Sequence, residues 1–325
     1  MPEPTLPLAF VGHTDALREV RDSFASERMP HAWLIAGIEG IGKAALAKHI
    51  AQYVLANGTG ELGKPNPEEH VAKLVDAETH PDLLIIRRPV DEKTGSQKAV
   101  IPVEEILKVA TFFQMTAAHN GWRVVIIDEA HTLNRFGQNA ILKIVEEPPP
   151  RALILLTVTT PGVLLPTIRS RTRLLRLSPL EANDRRALLG TTAPQASPED
   201  INAVIELSGG SVGFALKILR TETLPLYRDM LGILDVMPQM DVARLHKLAD
   251  QIARKADAES FDVLSSLLVE RLRQAAHKEA MNKGAMGVAL RLWDKTRATF
   301  AAVESTNLDR KLAFINAMSD IRAAM

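Results

Sequence analysis

Apolar residues in the first half of the chain occur in short continuous runs, and these runs alternate with segments of helical periodicity. Continuous apolar runs are typical of parallel strands that are buried on both faces of a sheet. The segments 43–55, 103–113 and 138–147 are long enough to be the crossover helices between such strands. The pattern predicts a doubly wound α/β domain with strands at residues 32–36, 83–87, 124–128, 153–158 and 174–177.

After Pro179 the strand signals disappear and one helical period follows another. We expect helices near residues 181–189, 198–208, 212–220, 224–236, 241–255, 259–280, 285–302 and 308–323. The second half is therefore predicted to be all-α. The shift in pattern places domains at residues 1–178, 179–221 and 222–325.

Smaller features complete this outline. Residues 14–28 read as an amphipathic helix with Thr14 as its N-cap and with Leu17, Val20 and Phe24 on one face. Segments 57–67 and 91–98 contain Gly, Asn, Pro or Thr-Gly signals and are predicted loops.

Composition excludes several classes of protein. Lys plus Arg and Asp plus Glu are both 39, so the chain has no basic excess of the kind that DNA-coating proteins carry. It contains no cysteine, and its nine histidines lack ligand spacing, so we expect no disulfide, no zinc and no other metal held by such clusters. The N-terminus lacks a leader pattern and no long apolar stretch occurs, which predicts a cytoplasmic protein with no membrane contact.

A phosphate-binding loop directly follows the first predicted strand. Gly37, Gly40, Gly42 and Lys43 match the core of a P-loop in its strand–loop–helix context. The glycines let backbone N–H groups surround phosphate oxygens, the next helix presents its positive end, and Lys43 reaches the phosphates. Ala44 stands where a hydroxyl would normally reach Mg²⁺. ATP is thus the candidate ligand, with weakened placement of the metal.

The strand at 124–128 ends in two carboxylates, as a Walker B motif requires. Asp128 is the candidate for holding Mg²⁺, and Glu129 is the candidate for polarising an attacking water. A strand-end acidic pair is weak evidence alone, but beside a P-loop it indicates a nucleotide site.

Two longer motifs identify a family resemblance. They are Asn-Ala-Ile-Leu-Lys-Ile-Val-Glu-Glu-Pro-Pro at 139–149 and Leu-Leu-Pro-Thr-Ile-Arg-Ser-Arg-Thr at 164–172. Together with Phe-Val-Gly-His at 10–13, they resemble bacterial clamp loader subunits of the AAA+ family. The resemblance covers residues from about 8 to 220 by motif, and it implies an AAA+ domain, a small helical lid and a helical collar that joins subunits.

The resemblance also implies roles for single residues. Arg171 matches an arginine finger that acts on the ATP of a neighbouring subunit, and Thr159 matches the polar sensor 1 position. Gly213 stands where the family carries a sensor 2 arginine, and Ala44 departs from the P-loop pattern. These two departures favour the delta-prime type of subunit, with weak or absent ATPase activity of its own. Cysteines of the family's zinc module are missing from residues 57–80.

The implied function is to help load a sliding clamp onto primer-template DNA, in a complex with gamma or tau and delta subunits. Two alternatives remain open. The chain could be an active gamma-type ATPase or another AAA+ motor that tolerates Ala44 and Gly213, or a stand-alone nucleotide-sensing adaptor.

Overall fold

The fold comes from a computed structural model that describes residues 10–66, 69–90, 97–118, 121–253, 258–283, 287–306 and 308–325. Its sheet has five parallel strands in the order β2-β3-β4-β1-β5. The strands are β1 (Ala32–Ala36), β2 (Leu83–Ile86), β3 (Arg123–Ile127), β4 (Ala152–Val158) and β5 (Arg173–Arg176).

The helices of the first half occupy both faces of the sheet, and those of the second half follow one another with no strand among the residues described there. The former are α1 (Thr14–Ala25), α2 (Lys43–Leu55), α3 (His70–Asp76), α4 (Val103–Gln114), α5 (Arg135–Glu146) and α6 (Pro166–Arg171). The latter are α7 (Ala182–Thr192), α8 (Pro198–Leu207), α9 (Val212–Arg220), α10 (Thr223–Asp235), α11 (Val242–Ile252), α12 (Ala258–Lys283), α13 (Val288–Thr306) and α14 (Arg310–Ala323).

Each face of the sheet is buried in a hydrophobic cluster of its own. Along β1, Leu34 joins the cluster that contains α4 and α5, whereas Trp33 and Ile35 join the cluster that contains α1 and α2. This alternation follows from the period of two in a strand. All five residues of β1 are buried, which explains why the strand reads as a continuous apolar run.

The predicted fold class is confirmed: a parallel α/β domain is followed by an all-α region. Every predicted strand is present with ends within one residue, and α2 has the predicted bounds. The N-cap prediction for Thr14 is wrong. Thr14 is the first helical residue, and His13 precedes it at φ 50° without a side-chain cap.

The predicted loop 57–67 contains turns and an isolated bridge between Glu61 and Lys64 before α3 begins, and Pro67 lies outside the described residues. Of the predicted loop 91–98, residues 91–96 lie outside the described part of the chain. In the residues that the structure covers, no helix is long and apolar enough to cross a membrane.

The chain divides into two compact units. One comprises the residues up to Leu188 together with Gly210–Gly213, and the other comprises Leu189–Gly209 and Phe214–Met325. The division into three domains at residues 178 and 221 stays a prediction. The segment 210–213 belongs with the sheet, although it follows the first residues of the second unit in sequence.

A buried ion pair fastens the amino end of β3. The Nε atom of Arg123 lies 3.3 Å from Oδ1 of Asp82, and both side chains are almost fully buried. The Arg123 guanidinium also donates to the carbonyls of Phe112 and Met115 and lies over the Phe112 ring. Asp82 accepts the N–H of Ala118. The pair thus joins the segments before β2, after α4 and at the start of β3.

We predict that Asp82→Ala lowers the free energy of unfolding by about 3 kcal/mol, because it leaves the Arg123 guanidinium buried without a counter-charge. Urea denaturation followed by circular dichroism measures the change. Asp15→Ala is the matched control, since the Asp15–Arg18 pair is exposed and its loss should cost no more than about 1 kcal/mol. If both variants lose an equally small amount of unfolding free energy, the buried pair does not stabilise the fold more than an exposed pair does.

Candidate functional site

The loop between β1 and α2 has the backbone of a phosphate cradle. Gly40 and Gly42 have φ values of 69° and 106°, in the left-handed region that glycine enters without strain. Gly42 precedes the first turn of α2, whose N–H groups have no intrahelical acceptors and carry the positive end of the helix dipole. The loop therefore turns donors toward one point, where a phosphate group would be bound.

Lys43 reaches back across this loop. Its amino group donates to the carbonyl oxygens of Gly37 at 2.9 Å and of Ile38 at 2.8 Å, and the residue is only 8% exposed. Burial lowers the pKa of Lys43, while the nearby carboxylates of Asp128 and Glu129 act in the opposite direction. An ammonium group has three N–H donors. Two are directed to the loop, so the third is left for a phosphate oxygen.

The carboxylate of Asp128, just after β3, is held by β4. Thr157 Oγ1 donates to Asp128 Oδ1 at 2.5 Å, and it accepts the N–H of Glu129 at 2.9 Å. Thr157 is fully buried in the middle of the sheet. Because β4 lies between β1 and β3, a polar residue near its carboxyl end can reach the end of β3. Thr157 thereby fixes the position of both acidic residues.

Glu129 is paired within the chain. Its Oε2 lies 2.6 Å from Nε of Arg88, and both side chains are partly buried. The backbone of Glu129 is left-handed at φ 54°, which is uncommon for a residue other than glycine. Because its carboxylate already contacts Arg88, Glu129 is not placed as an unhindered general base.

These residues fit a phosphate group better than a metal ion. The side chain of Ala44 supplies no oxygen, and Asp128 Oδ1 accepts two hydrogen bonds. Mg²⁺ requires oxygen ligands in octahedral geometry. In the described part of the chain, no group of three or more His, Cys, Asp or Glu residues could hold a metal.

An N-terminal segment lies against the same loop. His13 Nε2 donates to the carbonyl of Ile41 at 3.3 Å. The Phe10 ring contacts the rings of both His13 and His49, and it lies next to Gly42. Burial lowers the pKa of His13. The Phe-Val-Gly-His motif thus contacts the outside of the phosphate loop.

The structure brings most of the predicted site residues together. Gly37, Gly40, Gly42 and Lys43 form the loop, and Asp128 and Glu129 lie close enough to influence the charge of Lys43. Thr159 follows β4 and is half-buried, and its role as a sensor stays a prediction.

Arg171 is the last residue of α6, and its side chain is 41% exposed. Its guanidinium contacts Glu146 at 3.0 Å and the carbonyl of Thr167 at 3.2 Å. These contacts lie outside the phosphate loop of its own chain. The exposed position is compatible with a residue that acts on another molecule.

Two further residues of the site were missed by the sequence analysis. Thr157 is a lone polar residue in the buried run 152–158, and a buried hydroxyl needs a partner. Arg88 follows β2 in a register that aligns Ile86 with Ile127, so it falls opposite Glu129. Both signals are readable only once the strand order is known.

The first half of the chain matches a known protein family. The family model described as DNA polymerase III, delta subunit, matches residues 12–181, just over half of the chain. The chain belongs to this family. The matched range includes the P-loop, Asp128 and Glu129, and Arg171.

Several curated proteins of DNA polymerase III are similar to the chain. The delta-prime subunit of Pseudomonas aeruginosa is 34% identical over 182 residues, which cover 56% of this chain and 53% of that protein. The delta-prime subunit of Escherichia coli is 30% identical over 205 residues, covering 61% and 57%. The gamma/tau subunit of Mycobacterium tuberculosis is 31% identical over 253 residues, covering 74% and 42%. The chain thus spans about half the length of these relatives.

Among solved structures, a gamma-subunit-related protein from Thermotoga maritima matches 95% of this chain and 99% of that chain at 16% identity, with a TM-score of 0.46.

We predict that Thr157→Val destabilises the delta-family fold by about 1–3 kcal/mol, because valine keeps the shape of threonine but leaves Asp128 and the Glu129 N–H without this partner. Thr157→Ser should retain most of the stability. Thermal unfolding measures both effects. Thr159→Val is the matched control, and an equal loss there would mean that the Asp128 contact of Thr157 is not what matters.

Proposed function

We propose that the chain is a delta-prime-type subunit of a DNA polymerase III clamp loader. In this role it would assemble with gamma or tau and delta subunits, and the complex would place a sliding clamp on primer-template DNA. Membership in the delta-subunit family supports the assignment. Two similar proteins are named as delta-prime subunits of DNA polymerase III, which supports a role in that enzyme. The chain spans only about half of their length, so its partners are part of the proposal.

The observation that carries the delta-prime assignment is a phosphate loop beside carboxylates that are already engaged. Lys43 and the loop glycines retain a phosphate cradle. Against hydrolysis, Ala44 offers no metal ligand and Glu129 is paired with Arg88. Such a site would bind the phosphates of ATP more readily than it would hydrolyse them, and the subunit would contribute mainly structure and contacts to the complex.

A gamma-type ATPase is the second candidate, and one observation favours it. The gamma/tau relative aligns with 74% of this chain, more than the delta-prime relatives do. Retention of Lys43, Asp128 and Glu129 is compatible with that reading. The two candidates differ in turnover, which makes an ATPase assay decisive between them.

We predict that the purified chain hydrolyses ATP at well below about 1 per second, the low end of ordinary enzyme rates. Ala44→Thr, which returns a hydroxyl to the loop, should strengthen Mg²⁺-dependent nucleotide binding in calorimetry without restoring turnover, since Glu129 stays paired. A turnover of about 1 per second or more in the unaltered chain would favour the gamma-type ATPase instead.

The proposed role of Arg171 is to act in trans. Its planar guanidinium would stabilise the charge that develops on ATP bound by an adjacent subunit. Exposure of the side chain supports this role, and the contact with Glu146 would be exchanged for the phosphate. Exposed ion pairs contribute at most about 1 kcal/mol, so exchanging the Glu146 contact for a phosphate would lose little free energy.

We predict that Arg171→Ala leaves folding and assembly intact but lowers the DNA- and clamp-stimulated ATPase of the reconstituted loader and slows clamp loading. A finger can be worth roughly 10³ to 10⁵ in rate at its own site, although the other ATP sites of the loader dilute the loss in total turnover. Arg171→Lys should rescue poorly. Arg173→Ala is the matched control, because Arg173 is also exposed and ion-paired, with Glu19. Normal loading by the Arg171→Ala complex would refute the role in trans.

A further inference from the structure

The segment 210–213 touches the phosphate loop from a distant part of the sequence. The N–H of Gly213 donates to the carbonyl oxygen of Gly40 at 2.8 Å. Both residues belong to the same compact unit. Gly213 is the second residue of α9, and N–H groups in the first turn of a helix have no intrahelical acceptor. The Gly40 carbonyl supplies the acceptor that this amide would otherwise lack.

The approach of the two backbones leaves no room for a side chain. A Cβ atom added to Gly213 would lie 2.8 Å from Cα of Gly40 and 3.0 Å from its carbonyl oxygen. Contacts that short require one backbone to move. Gly213 does not have a left-handed φ. Glycine is therefore required here by space and not by backbone conformation.

A second glycine holds the same segment in place. A Cβ atom on Gly210 would lie 2.5 Å from Cβ of Pro179, and its φ of 95° also favours glycine. Ser211 and Val212, between the two glycines, are buried. The segment is thus packed through Gly210, Ser211 and Val212, and it presents an exposed Gly213 to the backbone of the loop.

Three consecutive residues of the loop are contacted from outside. The carbonyl of Gly40 accepts from Gly213, and the carbonyl of Ile41 accepts from His13. A Cβ atom added to Gly42 would lie 3.4 Å from the Phe10 ring. The Gly40 carbonyl accepts from Gly213, whereas the amino group of Lys43 donates to the carbonyls of Gly37 and Ile38, which lie earlier in the loop. Contacts from two other segments of the chain therefore support the shape of the loop.

We infer that Gly213 is a positioning residue for the phosphate loop, and that its backbone contact with Gly40 holds the loop in the shape in which Lys43 is drawn inward. The residue at 213 then controls access to Lys43. A side chain at this position, an arginine included, opens the loop instead of adding a group that completes it. The inference goes beyond the clamp loader proposal and does not depend on it.

The test measures how fast the Lys43 amino group reacts with acetic anhydride. The full-length folded protein is labelled, then digested, and the acetylated fraction of Lys43 is measured by mass spectrometry. Gly213→Ala and Gly213→Arg should each raise the rate at Lys43 by roughly tenfold or more, about what the loss of a hydrogen bond and a close contact gives in a local opening. The exposed Lys108 is the internal reference. Gly190→Ala is the matched control, since a Cβ there meets open space, and it should leave Lys43 unchanged.

Hydrogen exchange of the unaltered protein gives an independent result that needs no variant. The Gly213 amide should exchange at least about 100-fold more slowly than an open amide, because the Gly40 carbonyl accepts its hydrogen bond. Exchange at the open-chain rate would overturn the inference, whether or not the 213 variants fold. Lys43 reactivity in Gly213→Ala within twofold of that in Gly190→Ala would overturn it as well.

Discussion

The parallel sheet, buried on both faces, is the constraint on which the rest of the first unit depends. Hydrophobic clusters cover both sides of β1, β3 and β4, so their side chains cannot be polar unless they find partners inside the sheet. The polar residues that could bind a ligand therefore lie at the ends of the strands. Because all the strands are parallel, their carboxyl ends meet at one edge, and the phosphate loop and the acidic residues converge there.

Thr157 is the exception that links the core to this edge. It lies within β4 and is fully buried, yet its hydroxyl both donates to Asp128 and accepts from Glu129. A hydroxyl that serves two neighbours is satisfied, so it costs the core little. It also makes the position of the acidic residues a property of the sheet.

Charged side chains of both signs gather at the site. The cations Lys43 and Arg88 lie close to the anions Asp128 and Glu129, and all four influence the pKa of His131, which burial lowers. Side chains of both signs thus act on one another at the carboxyl edge of the sheet, and the ion pair with Arg88 engages one of the two acidic residues.

The sequence predicted the elements well and their mutual contacts poorly, and the reason lies in what each depends on. Strand and helix limits follow from local runs of apolar residues and from turn residues, so β1 and α2 were predicted without error. The contacts of Thr157 and Arg88 depend on β4 lying between β1 and β3 and on β2 lying beside β3. No local pattern carries that order. Thr14 failed as an N-cap because His13 takes up the left-handed turn before the helix.

Gly213 shows how a glycine can be misread when only the sequence is known. Compared with the arginine that the family pattern has at this position, the glycine suggests only the loss of a side chain that would contact phosphate. In the fold its N–H lies on the Gly40 carbonyl at a distance that no residue with a side chain could reach without moving the backbone. Gly40 and Gly42 are glycines because of their φ values, while Gly213 is one because of its neighbour. Restoring a side chain at 213 would therefore not restore a site, since the position is already occupied by the contact that shapes the loop.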